Sequence, residues 1–368
     1  SGFLAGFYTL VYPGPFAGFT SWKAPDYLPQ GQGGRGMMSP DLLNMMSWPF
    51  GAMTSFPGHA NINTSAASGG AACTGITYEG EIAQTLVAAF RDDIGDFSAD
   101  GVYTSRLGTL TLTDSADNLV DFAYLNNRTV VTFRSEDAPA VRTGGSGNFA
   151  ALGGSPRAGV RYCVSWDGRM WLFSNQNADW SSRNDPTVWD LTDDTLNFLG
   201  ITGAGVTDRT VVTGARVAGD SIYIGKEGIN APEGKVYRIH KTGDARSYDF
   251  ERIETGGIAP ISQQAFFLLP NGDLAFLAKD GSVYILRGNS LMEIGKNIKR
   301  TLVSDYSKTR FQYASMGLMR ERGYMGLSVS LTGAGTHART WWYDYVNSIP
   351  SAISGTTDTE YWYLGDHA

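Results

Sequence analysis

From about residue 76 onward the chain reads as short runs of β-branched and aromatic residues, each closed by a turn dipeptide. These runs include "LTLTD", "NRTVVTF", "GVRYCVSWDGRMWLFS", "DSIYIGKEG", "KVYRIHK", "FFLLPNGDLAFLAKDGSVYILRG", "RGYMGLSVS" and "ARTWWYDYV". Asp167-Gly168, Asn271-Gly272 and Asp280-Gly281 fall between such runs, and Asn-Gly or Asp-Gly between apolar strands is the strongest short-range hairpin signal. The clusters return roughly every 30 to 45 residues with three or four short strands each, the period of propeller blades. We divide them at 76–115, 117–150, 157–195, 208–252, 257–296 and 310–346. A two-sheet sandwich offers similar strands but lacks this period. The expected fold is therefore all-β: a β-propeller over 71–350, six-bladed in this division, with five to seven blades compatible with the period.

Composition agrees. The chain has 368 residues, of which 42% are hydrophobic and 18% charged, and its 46 glycines suit many strands joined by tight turns. Long amphipathic helices are not expected. "EIAQTLVAAFRDD" (81–93) is the one stretch that competes as helix, and it reads equally as paired strands. Residues 1–70 lack period-2 alternation and read as an irregular N-terminal arm, with one helical turn expected over Ser39–Met46, capped by Ser39 with Pro40 at the first helical position. Residues 351–368 read as a C-terminal tail.

The formal net charge is −7, without the basic excess or stripe that a protein gripping nucleic-acid backbone carries. Cys73 and Cys163 show no metal spacing and read as two small buried thiols rather than a disulfide. The apolar start "SGFLAGFYTLVYPGPFAGF" is short, lacks a basic segment and is broken by Pro13 and Pro15, so it reads as neither a secretion signal nor a membrane span. A chain folded in a reducing cytoplasm is expected.

Motifs of chemistry are sparse. None of His59, His240, His337 and His367 stands at ligand spacing from another or from a cysteine, so no metal site is expected. "RDDIGD", "SADG" and "DLTDD" lack the ligand order of calcium loops. "SWDGRMWLF" (165–173) has the ingredients of a sialidase Asp box at the wrong spacing. Arg91, Arg106, Arg128, Arg134 and Arg161 would have to converge to serve such a site. No nucleophile elbow or phosphate loop is present, and we expect no enzyme and no cofactor.

The order of the segments resembles a known family. "LLNMMSWPFGAMTSFPGHANIN" (42–63) carries Asn-Met followed by Gly-x-Met-x-Ser-x-Pro-Gly. "DFAYLNNRTVVTFRSEDAPAVR" (121–142), "PRAGVRYCVSWDGRMWLFSNQNADWSSRNDPTVWDLTD" (156–193), "GGIAPISQQAFFLLPNGDLAFLAKDGSVYILRG" (256–288) and "RFQYASMGLMRERGYMGLSV" (310–329) follow as successive blades. From about residue 40 the pattern is similar to the β-propeller virion proteins of tailed bacteriophages, which form tail nozzles and related neck or tail-hub parts.

That resemblance implies a structural virion component, assembled in the host cytoplasm as copies in a ring beside adaptor, tail or fibre proteins. Genomic DNA would pass nearby without specific binding, and the negative charge suits such a surface. The alternative within the same architecture is a tail-tip propeller that binds a receptor or glycan. Interface anchors are expected among the terminal aromatics, Phe3, Phe7, Tyr8, Tyr12, Phe16, Phe19, Trp22 and Tyr27 in the arm and Tyr361, Trp362 and Tyr363 in the tail. Trp166, Trp171, Trp189, Trp341 and Trp342 are expected to pack blades. In "NDPTVWDLTD", Pro186 sets a turn, Asp185 bonds its backbone, and Trp189 re-enters a packed face as a staple between neighbouring blades.

Overall fold

In the computed structural model, residues 73–348 are described except 80–84, 99–100, 116, 135, 146, 191–197, 202–209, 228–232, 244–247 and 333–336. Short strands at 16–19, 37–39, 45–47, 53–55 and 362–366 are described as well. The chain is an all-β, six-bladed propeller built of four-stranded antiparallel sheets, each a meander in sequence order. It divides into two compact units, His59–Ala259 and Ser1–Gly58 with Pro260–Ala368.

The first unit holds four blades. Blade 1 comprises Cys73–Glu79, Thr85–Phe90, Asp93–Phe97 and Tyr103–Ser105. Blade 2 comprises Asp121–Leu125, Arg128–Thr132, Ala140–Thr143 and Ala150–Ala151. Blade 3 comprises Tyr162–Trp166, Arg169–Phe173, Asn177–Trp180 and Phe198–Gly200. Blade 4 comprises Val211–Ala218, Ser221–Glu227, Lys235–Lys241 and Tyr248–Ile253. The first strand of blade 3 lies beside the first strands of blades 2 and 4. The ambiguous stretch 81–93 resolves as sheet, because Val87 and Ala89 alternate with Ala88 and Phe90 between two buried faces.

The second unit holds blade 5 (Phe266–Leu268, Leu274–Leu277, Val283–Arg287, Ser290–Glu293) and blade 6 (Ser315–Met319, Tyr324–Ser330, His337–Asp344, Trp362–Asp366). Between them runs the helix α1, Lys296–Asp305, which the turn-rich sequence did not announce. Its buried Ile298 and Leu302 join Trp341, Tyr343 and Trp362 in one apolar core. Phe16–Phe19 pairs in parallel with Met37–Ser39, and Met45–Ser47 pairs antiparallel with Met53–Ser55. The ends of the expected helical turn are therefore strand residues: Ser39 closes one strand, and Met45 and Met46 belong to another.

A further correction concerns the expected tail. Trp362–Asp366 pairs with His337–Asp344 as the fourth strand of blade 6, so the propeller boundary drawn at 350 cuts through a blade. The aromatic pattern that suggested an interface is a core pattern, with Trp362 and Tyr363 fully buried and the Trp362 indole donating to the Ile294 carbonyl at 2.7 Å. The strands Phe16–Phe19 and Met45–Ser47 lie against this same strand.

Hairpin chemistry differs among the three turn pairs. Only Asp167-Gly168 forms a two-residue turn with both residues at positive φ, 52° and 66°, the geometry whose twist matches paired strands. At Asn271-Gly272 and Asp280-Gly281 the strands are farther apart in sequence and only the glycine takes positive φ. Asn126-Asn127, with φ of 48° and 59°, makes the tight turn of blade 2.

Candidate functional site

Three constellations stand out, all in the unit of blades 1 to 4. The first is ionic. Arg142, in the third strand of blade 2, is fully buried against Glu79 and Asp96, from the first and third strands of blade 1. Its Nη1 donates to Asp96 at 2.8 Å, and its Nη2 pairs with Glu79. Arg106 shares Asp96 at 2.9 Å, while the Thr129 hydroxyl donates to Glu79 at 2.5 Å. Arg142 also lies 5.1 Å from the Phe149 ring centroid. Charges this deep persist only when paired, and here two carboxylates meet two guanidinium groups.

The second is the segment "NDPTVWD", which occupies the connection between the third and fourth strands of blade 3. Asn184 takes a φ of 58°. The Asp185 carboxylate accepts from the Thr187 backbone N–H at 2.9 Å and hydroxyl at 2.7 Å. It also pairs with Arg128 of blade 2, while Asn126 donates to the Asn184 carbonyl at 2.9 Å. Bonds from Thr187, reinforced by Arg128, hold the Asp185 carboxyl below the usual carboxylate range. The Trp189 indole donates to the Pro186 carbonyl at 2.9 Å. Its ring packs with Ala123, Leu125 and Val130 of blade 2 and Cys163, Met170 and Leu172 of blade 3. Gly154 admits this arrangement: at its φ of 78° a Cβ would sit 2.1 Å from the Thr187 carbonyl oxygen.

The third is a polar groove on the turns of blades 3 and 4, with a volume of about 380 Å³, lined by Trp166, Asp220, Ser221, Arg238, His240 and Lys241. Trp166 is its one aromatic lining residue, and behind it lies a buried cluster in which Tyr248 meets Trp171 edge-on at 4.8 Å and Trp180 at 5.0 Å, with Trp166 tilted against it at 5.4 Å. The Tyr248 hydroxyl donates to one Asp167 oxygen at 2.6 Å, which Arg183 also meets at 3.2 Å, and Lys241 reaches the other oxygen at 2.5 Å. Burial pushes the Asp167 carboxyl up, but the bonds from Lys241 and Tyr248, together with Arg183, hold it below the usual range. Burial, with the Asp167 bond, pushes Tyr248 up to about 12.

The predicted residues divide accordingly. Trp166, Trp171 and Trp189 sit in blade cores, Trp171 with no exposure at all. Trp341 is fully buried and donates to the Tyr306 hydroxyl at 2.9 Å; Trp342, on the opposite face of its strand, is half-buried. Phe16 and Phe19 are strand residues. Phe3, Phe7, Tyr8, Tyr12, Trp22, Tyr27 and Tyr361 lie outside the described residues. Arg91, Arg106, Arg128 and Arg161 engage four separate partners (Asp114, Asp96, Asp185 and the Val212 carbonyl), which argues against a shared anion site. Both cysteines are free, but Cys73 is exposed on blade 1 and only Cys163 is buried, so the expectation of two buried thiols holds for one. Among the described residues no group of three or more His, Cys, Asp or Glu side chains is placed to hold a metal ion, and no helix is long and apolar enough to cross a membrane.

The groove residues were not singled out in the sequence, although a signal was there. In "KVYRIHK" Arg238 and His240 stand two apart and alternate with buried Tyr237 and Ile239, which puts both on one face of the strand. For the Arg142 set no local signal exists, since its members are 63 and 46 residues apart.

No protein-family model matches the chain, and no curated protein does. Among solved structures, the extracellular domain of a putative hybrid two-component system from B. thetaiotaomicron superposes with a TM-score of 0.50 at 15% identity, covering 84% of this chain and 38% of that one. The extracellular domain of a putative one-component system from the same organism gives 0.49 at 12% identity, over 80% of this chain and 41% of that one. A gluconolactonase from Xanthomonas campestris gives 0.42 at 11% identity, over 70% and 83%. The chain thus spans about two fifths of the first two, and at these identities the likeness is one of fold.

Proposed function

We propose that this chain is a structural propeller of a tailed-bacteriophage particle, placed in the tail, nozzle or neck, where copies assemble around the DNA exit path. The observation that carries the reading is the join between the N-terminal segment and the last blade. Strands Phe16–Phe19 and Met45–Ser47 lie on Trp362–Asp366, the fourth and therefore edge strand of blade 6. An edge strand is where a sheet is open to further pairing, so a segment anchored there is suited to reach a neighbouring copy. The Arg142 and Asp185 sets each join neighbouring blades, which suits a scaffold. A net charge of −7 fits a wall that DNA passes without adhering.

Electron microscopy of lysate particles labelled with antibody against the chain tests this. Label at the neck or along the tail is the expected result; label confined to a fibre tip favours the receptor-binding alternative, and particles without label overturn both. Deleting residues 1–30 should leave a folded propeller that no longer enters particles, and incorporation of the truncated chain would remove the arm from the assembly role.

A further inference from the structure

The groove on blades 3 and 4 has no part in the structural role. We propose that it is a binding site for a neutral saccharide. Its volume, about 380 Å³, lies in the range of small-ligand sites. Two consecutive turns build it: Asp167-Gly168 supports Trp166 from blade 3, and Gly219-Asp220 starts the second strand of blade 4, whose first residue is Ser221. The third strand of blade 4 adds Arg238, His240 and Lys241.

The charge pattern selects the ligand class. Arg238 is held by Glu251 at 2.5 Å, and Lys241 by Asp167 at 2.5 Å, with its ammonium 6.0 Å from the Trp166 ring centroid. Both cations of the wall therefore arrive compensated, and an anion gains little net attraction there. What remains is a mixture of donors and acceptors. Asp220 is exposed and accepts the Ser221 hydroxyl at 3.1 Å, which leaves its carboxylate capacity for further donors. His240 lines the groove and has Nδ1 buried without a hydrogen-bond partner, which leaves an imidazole nitrogen to be satisfied there. A vicinal diol both donates and accepts, and can address Asp220 and His240 together, whereas a phosphate or carboxylate would face the Asp220 charge. The exposed margin of the otherwise buried Trp166 indole supplies the groove's apolar contact for a sugar's C–H groups.

The reading is independent of whether the chain is a virion part, and the test keeps the two apart. The full chain is titrated by calorimetry and saturation-transfer NMR with methyl glucoside, methyl galactoside, N-acetylglucosamine and maltotriose, and with inorganic phosphate and glucuronate as anionic probes. At least one neutral probe should saturate with a Kd below about 10 mM, a weak but specific affinity. Asp220→Ala should weaken it at least about tenfold, the loss of a hydrogen bond to a charged group. His240→Gln should weaken it less, and Asp280→Asn in blade 5, far in sequence from the groove, should leave it unchanged. Circular dichroism confirms that each variant is folded. Saturation by no neutral probe, preference for phosphate or glucuronate, or undiminished binding by folded Asp220→Ala would each overturn the assignment.

Discussion

Where blade 1 meets blade 2 the chain buries Arg142 between Glu79 and Asp96; where blade 3 meets blade 4 it buries Trp171 and Trp180 against Tyr248. Both joints pack neighbouring sheets, but their physics differs. The aromatic joint draws on area removed from water, which is non-directional and falls gradually as atoms are deleted. The ionic joint must first offset the desolvation of each charge, so it rewards one arrangement and penalises any partial version of it. The same protein therefore holds a tolerant joint and an exacting one within a single unit. Buried salt bridges are weak evidence of added stability; what this one shows is a set of paired charges between blades 1 and 2.

That contrast is broken most directly at Arg142. Arg142→Ala strands Glu79 in the interior and leaves Asp96 with Arg106 alone, and should destabilise the chain by about 3–5 kcal/mol in urea unfolding. A loss below about 1 kcal/mol would mean that water replaces the guanidinium, and that the joint is not dry. Substituting Glu79 and Arg142 together by Leu and Met removes the stranded charge while Asp96 keeps Arg106, and should recover more than half of the single variant's loss. If the double variant is as unstable as Arg142→Ala, the pairing itself carries the joint. On the aromatic side, Trp171→Phe keeps a ring in contact with Tyr248 but loses volume and the indole bond to the Trp166 carbonyl at 3.2 Å. A graded loss of about 1–3 kcal/mol is expected. A loss as large as that at Arg142 would erase the distinction between the joints.

The same contrast explains what the sequence disclosed. Strands, turns and blade period are local, so alternation and dipeptides such as Asp167-Gly168 were legible. The Trp189 turn was legible too, because Asp185, Pro186 and Thr187 make their bonds within a few residues. The aromatic joint was half legible: tryptophans announce a core without naming their partners. Long-range pairing left no trace, as with Arg142 and Glu79, 63 residues apart. The fourth strand of blade 6 was misread for the same reason. Trp362 and Tyr363 stand apart from their blade, beyond residues 345–361, and aromatics near a terminus have the same composition whether they anchor a partner or fill a core. In the groove, Arg238 and His240 shared a strand face visibly, but Trp166 and Asp220 come from different turns, and only the fold brings them there.

The smallest effect sharpens the comparison, because it lies where ionic and aromatic chemistry meet. Asp167 takes the Tyr248 hydroxyl and Lys241 at the margin of the aromatic joint, and its carboxyl is held below the usual range. A carboxyl depressed in the folded state adds stability that is present above its unfolded value, about 3.9, and is lost as pH falls through the folded value. Asp167→Asn should therefore be less stable than the parent by roughly 1 kcal/mol at neutral pH, with the gap closing as the solution is acidified below about pH 4. Tyr248 has the opposite sign. Its folded value, pushed up to about 12, exceeds the unfolded one near 10, so its contribution is complete below about pH 10 and disappears as pH rises toward 12. In Asp167→Asn the burial part of that shift persists and the carboxylate part does not, so the alkaline loss should shrink without vanishing. Unfolding measured from pH 3 to 11 reads both limbs on one variant. A gap between parent and Asp167→Asn that stays constant across the acid limb would show that the carboxylate adds nothing to the joint, leaving it held by its rings alone.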